Sequence, residues 1–251
     1  MGEAVESSVR PAARTARYGV DAPAVMLGLA GGGAVGVAAG VAALAGGSGG
    51  FAAAGAVVGS AALVPLGLGL GMAAYAVAGK RRLRDALLAR VPWRGDEVVL
   101  DVGAGRGLMA VGAAKRVPRG RVIALDAWRA EDLSGNGPDG LQGNAEIEGV
   151  SDRISVVTGD AREMDLPDAG VDVVLSVLCL HNIEPAEDRS RACREIARVL
   201  RPGGRAVIAD YRGTSGYARD FAAAGLVVRR HETAYGTALS LMSVVEAEKP
   251  A

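Results

Sequence analysis

Cysteine and histidine are scarce: the 251 residues include two of each, Cys179 with Cys193 and His181 with His231. So few side chains exclude a disulfide framework and a four-ligand zinc site, so no metal is expected and a reducing, cytoplasmic compartment fits best. Net charge is absent as well, with 28 basic against 28 acidic residues. That balance removes the diffuse positive field on which nonspecific nucleic-acid binding depends, and no nucleic-acid partner is expected.

Charge is missing altogether from Ala24 to Gly79, a run of 56 residues in which Ser48, Ser60 and Tyr75 carry the only hydroxyls. A helix crosses the ~30 Å hydrocarbon layer with about 20 residues, so Ala24–Ala45 and Ala52–Ala78 each suffice for a span, joined at Gly46-Gly47-Ser48-Gly49-Gly50. Pro65 is placed to kink the second span. Arg10, Arg14 and Arg17 precede the pair and Lys80, Arg81, Arg82 and Arg84 follow it, which puts both ends in the cytoplasm. The run far exceeds the ~7–15-residue apolar core of a signal peptide, so it is expected to stay in the mature chain. The competing reading is a flexible Gly/Ala-rich segment, because sixteen glycines lower helix propensity.

Gly32, Gly36 and Gly40 recur every four residues, as do Gly55 with Gly59 and Gly67 with Gly71, spacing that lets backbones approach within the hairpin or between two chains of a homo-oligomer. Tyr18-Gly19-Val20-Asp21-Ala22-Pro23 either caps the first helix or reaches the active site.

Beyond residue 80 the pattern changes to short aliphatic runs, Glu97–Val102, Arg121–Leu125, Ile154–Val157, Val171–Val177 and Arg205–Ala209, each suited to a buried parallel strand. Helix-like stretches Leu108–Arg116, Leu141–Glu148, Arg189–Leu200 and Tyr217–Ala224 separate them, and Arg82–Arg90 precedes them. This alternation predicts an α/β fold with a doubly wound, mostly parallel seven-stranded sheet, closed by Val227–His231 and Ser240–Ala247 as an antiparallel edge. The expected organisation is a cytoplasmic segment 1–23, a transmembrane hairpin 24–79 and a soluble domain 80–251.

The first strand ends in Asp101 and runs into Gly103-Ala104-Gly105-Arg106-Gly107. A strand-to-helix glycine turn lets a ligand lie against backbone N–H groups beside a helix N-terminus. The spacing is G-x-G-x-G, unlike the G-x-G-x-x-G of dinucleotide folds. Asp126 ends the second strand, where a carboxylate can accept from two ribose hydroxyls, and Asp160 follows the third, so three acidic groups converge on one sheet edge.

Taken together, Val99-Leu100-Asp101-Val102-Gly103-Ala104-Gly105-Arg106-Gly107, Gly159-Asp160-Ala161-Arg162-Glu163, Val171-Asp172-Val173-Val174-Leu175-Ser176 and Arg198-Val199-Leu200-Arg201-Pro202-Gly203-Gly204 resemble the class I S-adenosylmethionine-dependent methyltransferases, type 11, the ubiquinone/menaquinone-biosynthesis-like branch. The resemblance covers roughly Leu83–Pro250. It implies a Rossmann-like fold and S-adenosylmethionine as cofactor. Asp101 and Gly103–Gly105 would meet its methionine part, Asp126 the ribose, and Asp160 with the Ala161 backbone the adenine. Gly107, Ala127 and Ser176 complete the expected cofactor set. Arg201-Pro202-Gly203-Gly204 reads as a turn before the next strand.

Ser176-Val177-Leu178-Cys179-Leu180-His181-Asn182-Ile183 stands where this family usually faces the transferring methyl. His181 is the candidate general base, and the competing role is a hydrogen bond to substrate or backbone with catalysis by alignment alone. Asn182 is expected to orient a partner, and the alternation points Cys179 into the core. Ala127–Pro138 is long for a strand-to-helix loop and reads either as a lid, with Trp128 closing over the adenosine as a substrate contact, or as an ordered surface loop.

The function expected is a membrane-anchored methyltransferase, multi-pass in the cytoplasmic membrane with its catalytic domain facing the cytoplasm. It would act on a small, hydrophobic or lipid-like acceptor. The alternative is a noncatalytic membrane scaffold or sensor that binds the same cofactor. A nicotinamide-dependent reductase is the weaker enzymatic rival.

Overall fold

The computed structural model describes residues 15–47, 49–234 and 242–251. Two long helices come first, α1 (Pro23–Gly46) and α2 (Gly50–Ala74), and a π turn over Tyr75–Gly79 carries α2 into α3 (Lys80–Leu88). Pro23 sits in the first turn of α1, where its missing N–H costs nothing. Pro65 lies inside α2 without ending it. The two helices are 24 and 25 residues long, enough to cross a bilayer, and most of their large apolar side chains face outward: Val35 is 71% exposed and Val57 70%. The expected spans therefore exist as helices, with Ser48 of the connecting turn and Arg10 and Arg14 of the flanking charge outside the described residues.

Glycines set how α1 and α2 meet, but only some of those expected. A Cβ on Gly36 would strike Ala62, one on Gly40 would come within 2.5 Å of Gly59 Cα, and one on Gly55 within 2.6 Å of Ala43 Cβ. Gly33 against Leu66 and Gly69 against Ala30 belong to the same contact, whereas Gly32, Gly67 and Gly71 face open space. The seam follows the rotation of a helix over several turns, which a strict four-residue count drifts away from.

The rest of the chain is a seven-stranded sheet with helices on both faces, in the order β3-β2-β1-β4-β5-β7-β6. β1 (Val98–Val102), β2 (Arg121–Asp126), β3 (Ile154–Thr158), β4 (Val171–Val177) and β5 (Leu200–Asp210) are parallel; α4 (Leu108–Ala114), α5 (Pro138–Ile147), α6 (Ala186–Val199) and α7 (Thr214–Ala223) alternate with them. β7 (Met242–Glu248) inserts antiparallel between β5 and β6 (Val227–Ala234). The mostly parallel sheet and antiparallel edge match the sequence expectation; residues 240 and 241 of the expected last strand lie outside the described residues.

Arg201-Pro202-Gly203-Gly204 is not the turn that was expected. It lies within β5, where Gly203 takes a positive φ of 74° and pairs its amide with the Lys249 carbonyl. The pairing with β4 passes from Val171–Leu200 to Val173–Arg205, so these four residues of β5 stand against Asp172 alone, an excursion wider than a one-residue bulge.

Because β1 lies between β2 and β4, chain order reverses beside its C-terminal end. That reversal opens a crevice at the carboxyl edge of the sheet, the usual ligand position in open α/β folds. Leu100, Val174, Leu175 and Ile208 are fully buried beneath it.

Candidate active site

The glycine turn after β1 is built on positive φ: 75° at Gly103, 53° at Gly105 and 82° at Gly107, values that any side chain would strain. Gly103 also abuts Cys179, and a Cβ on Gly105 would stand 2.8 Å from Leu133 Cδ2. Four of the five amides of this turn are already paired within the fold, which leaves fewer for a ligand than the sequence expectation did. Gly103 and Ala104 both donate to the Leu125 carbonyl at 2.8 and 3.1 Å, Gly105 donates to Asp126 Oδ2 at 2.7 Å, and Gly107 donates to the Ala104 carbonyl at 2.8 Å. Backbone satisfaction inside the turn wins, and the glycines serve close approach instead.

Asp101 lies on the floor of the cleft, 1% exposed, with Oδ2 accepting the Ala110 amide at 2.8 Å. Burial is the main force pushing its carboxyl up to about 7, and the nearby charge of Asp126 adds to it. Asp126 lines the same cleft; besides Gly105 it holds the Trp128 amide through Oδ1 at 2.6 Å. Asp160 and Ala161 line its far end, where Arg162 grips the Asp160 carboxylate and lowers its pKa. Ala104, Ala127 and Asn182 are on the wall too.

Gly107 and Ser176 are not among the lining residues: Gly107 faces Leu141, and Ser176, 1% exposed, donates to the Val102 carbonyl and ties β4 to β1. Trp128 is absent from the lining as well. Its indole donates to Thr158 Oγ1 at 2.8 Å, while Asp132, Leu133 and Asn136 of the same loop face the cleft.

His181 is 8% exposed and is not part of the cleft wall. Its Nδ1 lies 2.8 Å from Asp210 Oδ1, off the direction of a good hydrogen bond, its amide donates to Asp210 Oδ2 at 3.1 Å, and its ring meets the Tyr211 ring edge-on at 4.6 Å. Cys179 packs against the core, as expected, and also reaches the cleft wall, because the turn after β4 carries it over Gly103. Burial raises its thiol pKa, so it stays protonated. Among the described residues no cluster of three His, Cys, Asp or Glu could hold a metal.

The sequence reading reached only part of the cleft's roof, residues 18–23 and not Tyr75 or Lys80. Tyr18 and Asp21, ahead of α1, and Tyr75 and Lys80, at the end of α2, all line it. Asp21 forms an isolated bridge with Leu133, the Val20 amide donates to Ser134 Oγ at 2.8 Å, and Arg106 Nε reaches the Arg17 carbonyl at 2.7 Å. Both roles open for residues 18–23 are met in part: Pro23 stands in the first turn of α1, and the segment ahead of it straps the long loop and lines the cleft.

Residues 100–208 match a protein-family model described as a methyltransferase domain. That match takes in most of the parallel sheet and the glycine turn, the part of the chain whose motifs resemble the class I S-adenosylmethionine-dependent methyltransferases. The chain is 34% identical over 134 residues to the 27-O-demethylrifamycin SV methyltransferase of Amycolatopsis mediterranei, covering 52% of this chain and 44% of that protein. It is 29% identical over 128 residues to a ubiquinone/menaquinone biosynthesis C-methyltransferase of Dinoroseobacter shibae, covering 51% of this chain and 48% of that one. The chain thus spans about half the length of the curated relatives it matches.

Among solved structures, the fold resembles the [4+2]-cyclase SpnF, with a TM-score of 0.56 at 19% identity over 68% of this chain and 82% of that one. It also resembles the Burkholderia thailandensis 1,6-didemethyltoxoflavin-N1-methyltransferase with bound S-adenosylhomocysteine, with a TM-score of 0.54 at 23% identity over 69% and 79% of the two chains.

The methyltransferase-domain match makes S-adenosylmethionine the cofactor to set against the cleft. The cleft suits it: it has a glycine turn that a Cβ would block, and two carboxylates on its floor that could take a cationic amino group and ribose hydroxyls.

Proposed function

We propose that the chain transfers the cofactor's methyl group to a small, hydrophobic or membrane-resident acceptor at the cytoplasmic face of a membrane. The observation that carries this reading is continuity: one cleft is lined at its floor by Asp101 and Asp126 and at its roof by Tyr75 and Lys80, the end of an apolar helix. Both ends of the hairpin dock on the same sheet-bearing part of the chain, Asp21 through Leu133 and α3 through Leu83, Leu87 and Leu88, and Lys80 ties the two ends together through Asp21. A hairpin that crosses a bilayer therefore keeps both ends on one side, and the basic residues around Lys80 make that side the cytoplasm.

The cofactor supplies an activated methyl on a sulfonium. The protein contributes alignment, which is worth about 7–11 kcal/mol when donor and acceptor are held in line. Asp101 would take the cationic amino group and Asp126 the ribose, Asp160 and Ala161 would flank the adenine, and Cys179 and Asn182 would border the reacting end. His181, paired with Asp210 behind that wall, acts in this reading as a positioning residue for the Cys179–Asn182 turn. Tethering raises the local concentration of a lipid-like acceptor without any added contact.

Lipid and metabolite profiling of cells with and without the gene tests this directly. One species heavier by a single CH2 unit, present only with the gene, is expected. An unchanged profile together with normal cofactor binding would favour the scaffold reading.

A further inference from the structure

The roof of the cleft carries polar groups that none of the described residues satisfies. Lys80 is 4% exposed, and its ammonium donates to Asp21 Oδ1 at 2.9 Å and to the Tyr18 carbonyl at 3.1 Å, which leaves a third N–H. Asp21 Oδ2 and the Tyr75 hydroxyl are buried and, among the described residues, have no hydrogen-bond partner. An orphaned buried polar atom costs about 1–3 kcal/mol, and two of them lining one cleft call for a partner.

Their place in the fold is as telling as their chemistry. Tyr75 opens the π turn and Lys80 is the first charge after the 56-residue uncharged run, so both sit where α2 leaves the apolar layer. π turns recur at functional sites in helices. Asp21 is fixed opposite them by the bridge to Leu133, and the Ala22 amide donates to the Asp132 carbonyl at 3.2 Å.

Resting on the methyl-transfer reading above, we propose that Asp21, Tyr75 and Lys80 form the acceptor's head-group subsite. It takes a neutral, hydroxyl-bearing head on an apolar tail, delivered from the bilayer along α2. Asp21 Oδ2 accepts the head's O–H, and the Tyr75 hydroxyl and the remaining Lys80 N–H donate to its oxygens. Neutrality follows from the pairing: Lys80 is already balanced by Asp21, so an anionic head would meet an uncompensated carboxylate oxygen. The tail remains against the exposed apolar surface of α2.

The test uses the full chain in phosphatidylcholine nanodiscs with 4-octyl-2-fluorophenol as probe, followed by fluorine NMR, and S-adenosylhomocysteine binding by calorimetry on the same samples. Saturable phenol binding is expected in the wild type. It should weaken at least tenfold, or about 1.4 kcal/mol, in Tyr75→Phe and Asp21→Asn. Val77→Ala, on the outward face, should bind like the wild type, and S-adenosylhomocysteine affinity should stay within about twofold in every variant. Unaltered phenol binding in Tyr75→Phe and Asp21→Asn, or tighter binding of a fluorinated octyl phosphate than of the phenol, would overturn the subsite. Loss of S-adenosylhomocysteine binding in the wild type, with the phenol pattern intact, would instead overturn the methyl-transfer reading and leave the head-group site standing.

Discussion

The carboxylate of Asp126 accepts the backbone amide of Gly105 at 2.7 Å, locking the end of β2 onto the glycine turn of β1. One side chain thus fixes the shape of the cradle and presents its remaining lone pairs to the cleft. Charge-assisted hydrogen bonds of this kind contribute about 1.5–3 kcal/mol each. Asp126→Ala is expected to lower S-adenosylhomocysteine affinity by at least ~10²-fold, read by calorimetry, with the chain still in the membrane fraction.

Gly105→Val should abolish cofactor binding for two separable reasons. The positive φ of 53° costs a β-branched residue about 1–3 kcal/mol, and the new side chain collides with Leu133 Cδ2. Adding Leu133→Ala relieves only the collision. The double variant should therefore recover part of the affinity and not all of it, whereas full recovery would mean that the backbone conformation is unimportant.

Asp101 gives the site a pH dependence whose sign can be worked out. Its folded pKa of about 7 stands above the ordinary carboxylate value of about 3.9, so the folded chain binds the extra proton between those limits. Its contribution to stability is intact below about pH 4 and falls away as pH rises through 7. A cationic cofactor prefers the ionised form, so affinity should rise from pH 6 to pH 8. Asp101→Asn keeps an acceptor for the Ala110 amide and should flatten both trends, in thermal melts and in calorimetric titrations.

Asp210 is fully buried and accepts from the His181 amide at 3.1 Å, the Tyr211 amide at 2.9 Å and the Tyr217 hydroxyl at 3.2 Å. Asp210→Ala orphans the two amides and leaves the Tyr217 hydroxyl only the Arg212 carbonyl at 3.3 Å, and a loss of roughly 2–5 kcal/mol in chemical denaturation is expected. His181→Ala, which leaves them paired, should be milder and should not change cofactor affinity.

The hairpin seam is open to the same treatment. Gly40→Leu must push α1 off Gly59, while Gly67→Leu points into open space. In detergent, the first should lower the unfolding temperature clearly and the second should leave it unchanged.

Much of this architecture is legible locally. The strand that ends in Asp101, the glycines after it and the acidic ends of β2 and β3 are short-range patterns, and a parallel sheet brings strand ends together whatever the loops do. The uncharged run likewise declares its two helices by length alone. What the sequence hides is long-range. The His181–Asp210 pair joins residues from two strand ends, and the strap from Asp21 to Leu133 joins positions more than a hundred residues apart. No periodicity records either. The satisfied amides of the glycine turn were missed for a related reason, since their acceptors, Leu125 and Asp126, belong to the neighbouring strand. Tyr75 and Lys80 read as membrane-helix end and flanking charge, and only their approach to the cleft gives them a second role.

The most direct test of the whole account is calorimetric titration of the full-length protein with S-adenosylhomocysteine and, separately, with NADH. A cleft built as described binds S-adenosylhomocysteine in the micromolar range or tighter and gives no saturable heat with NADH. Saturable NADH binding with none for S-adenosylhomocysteine would contradict it.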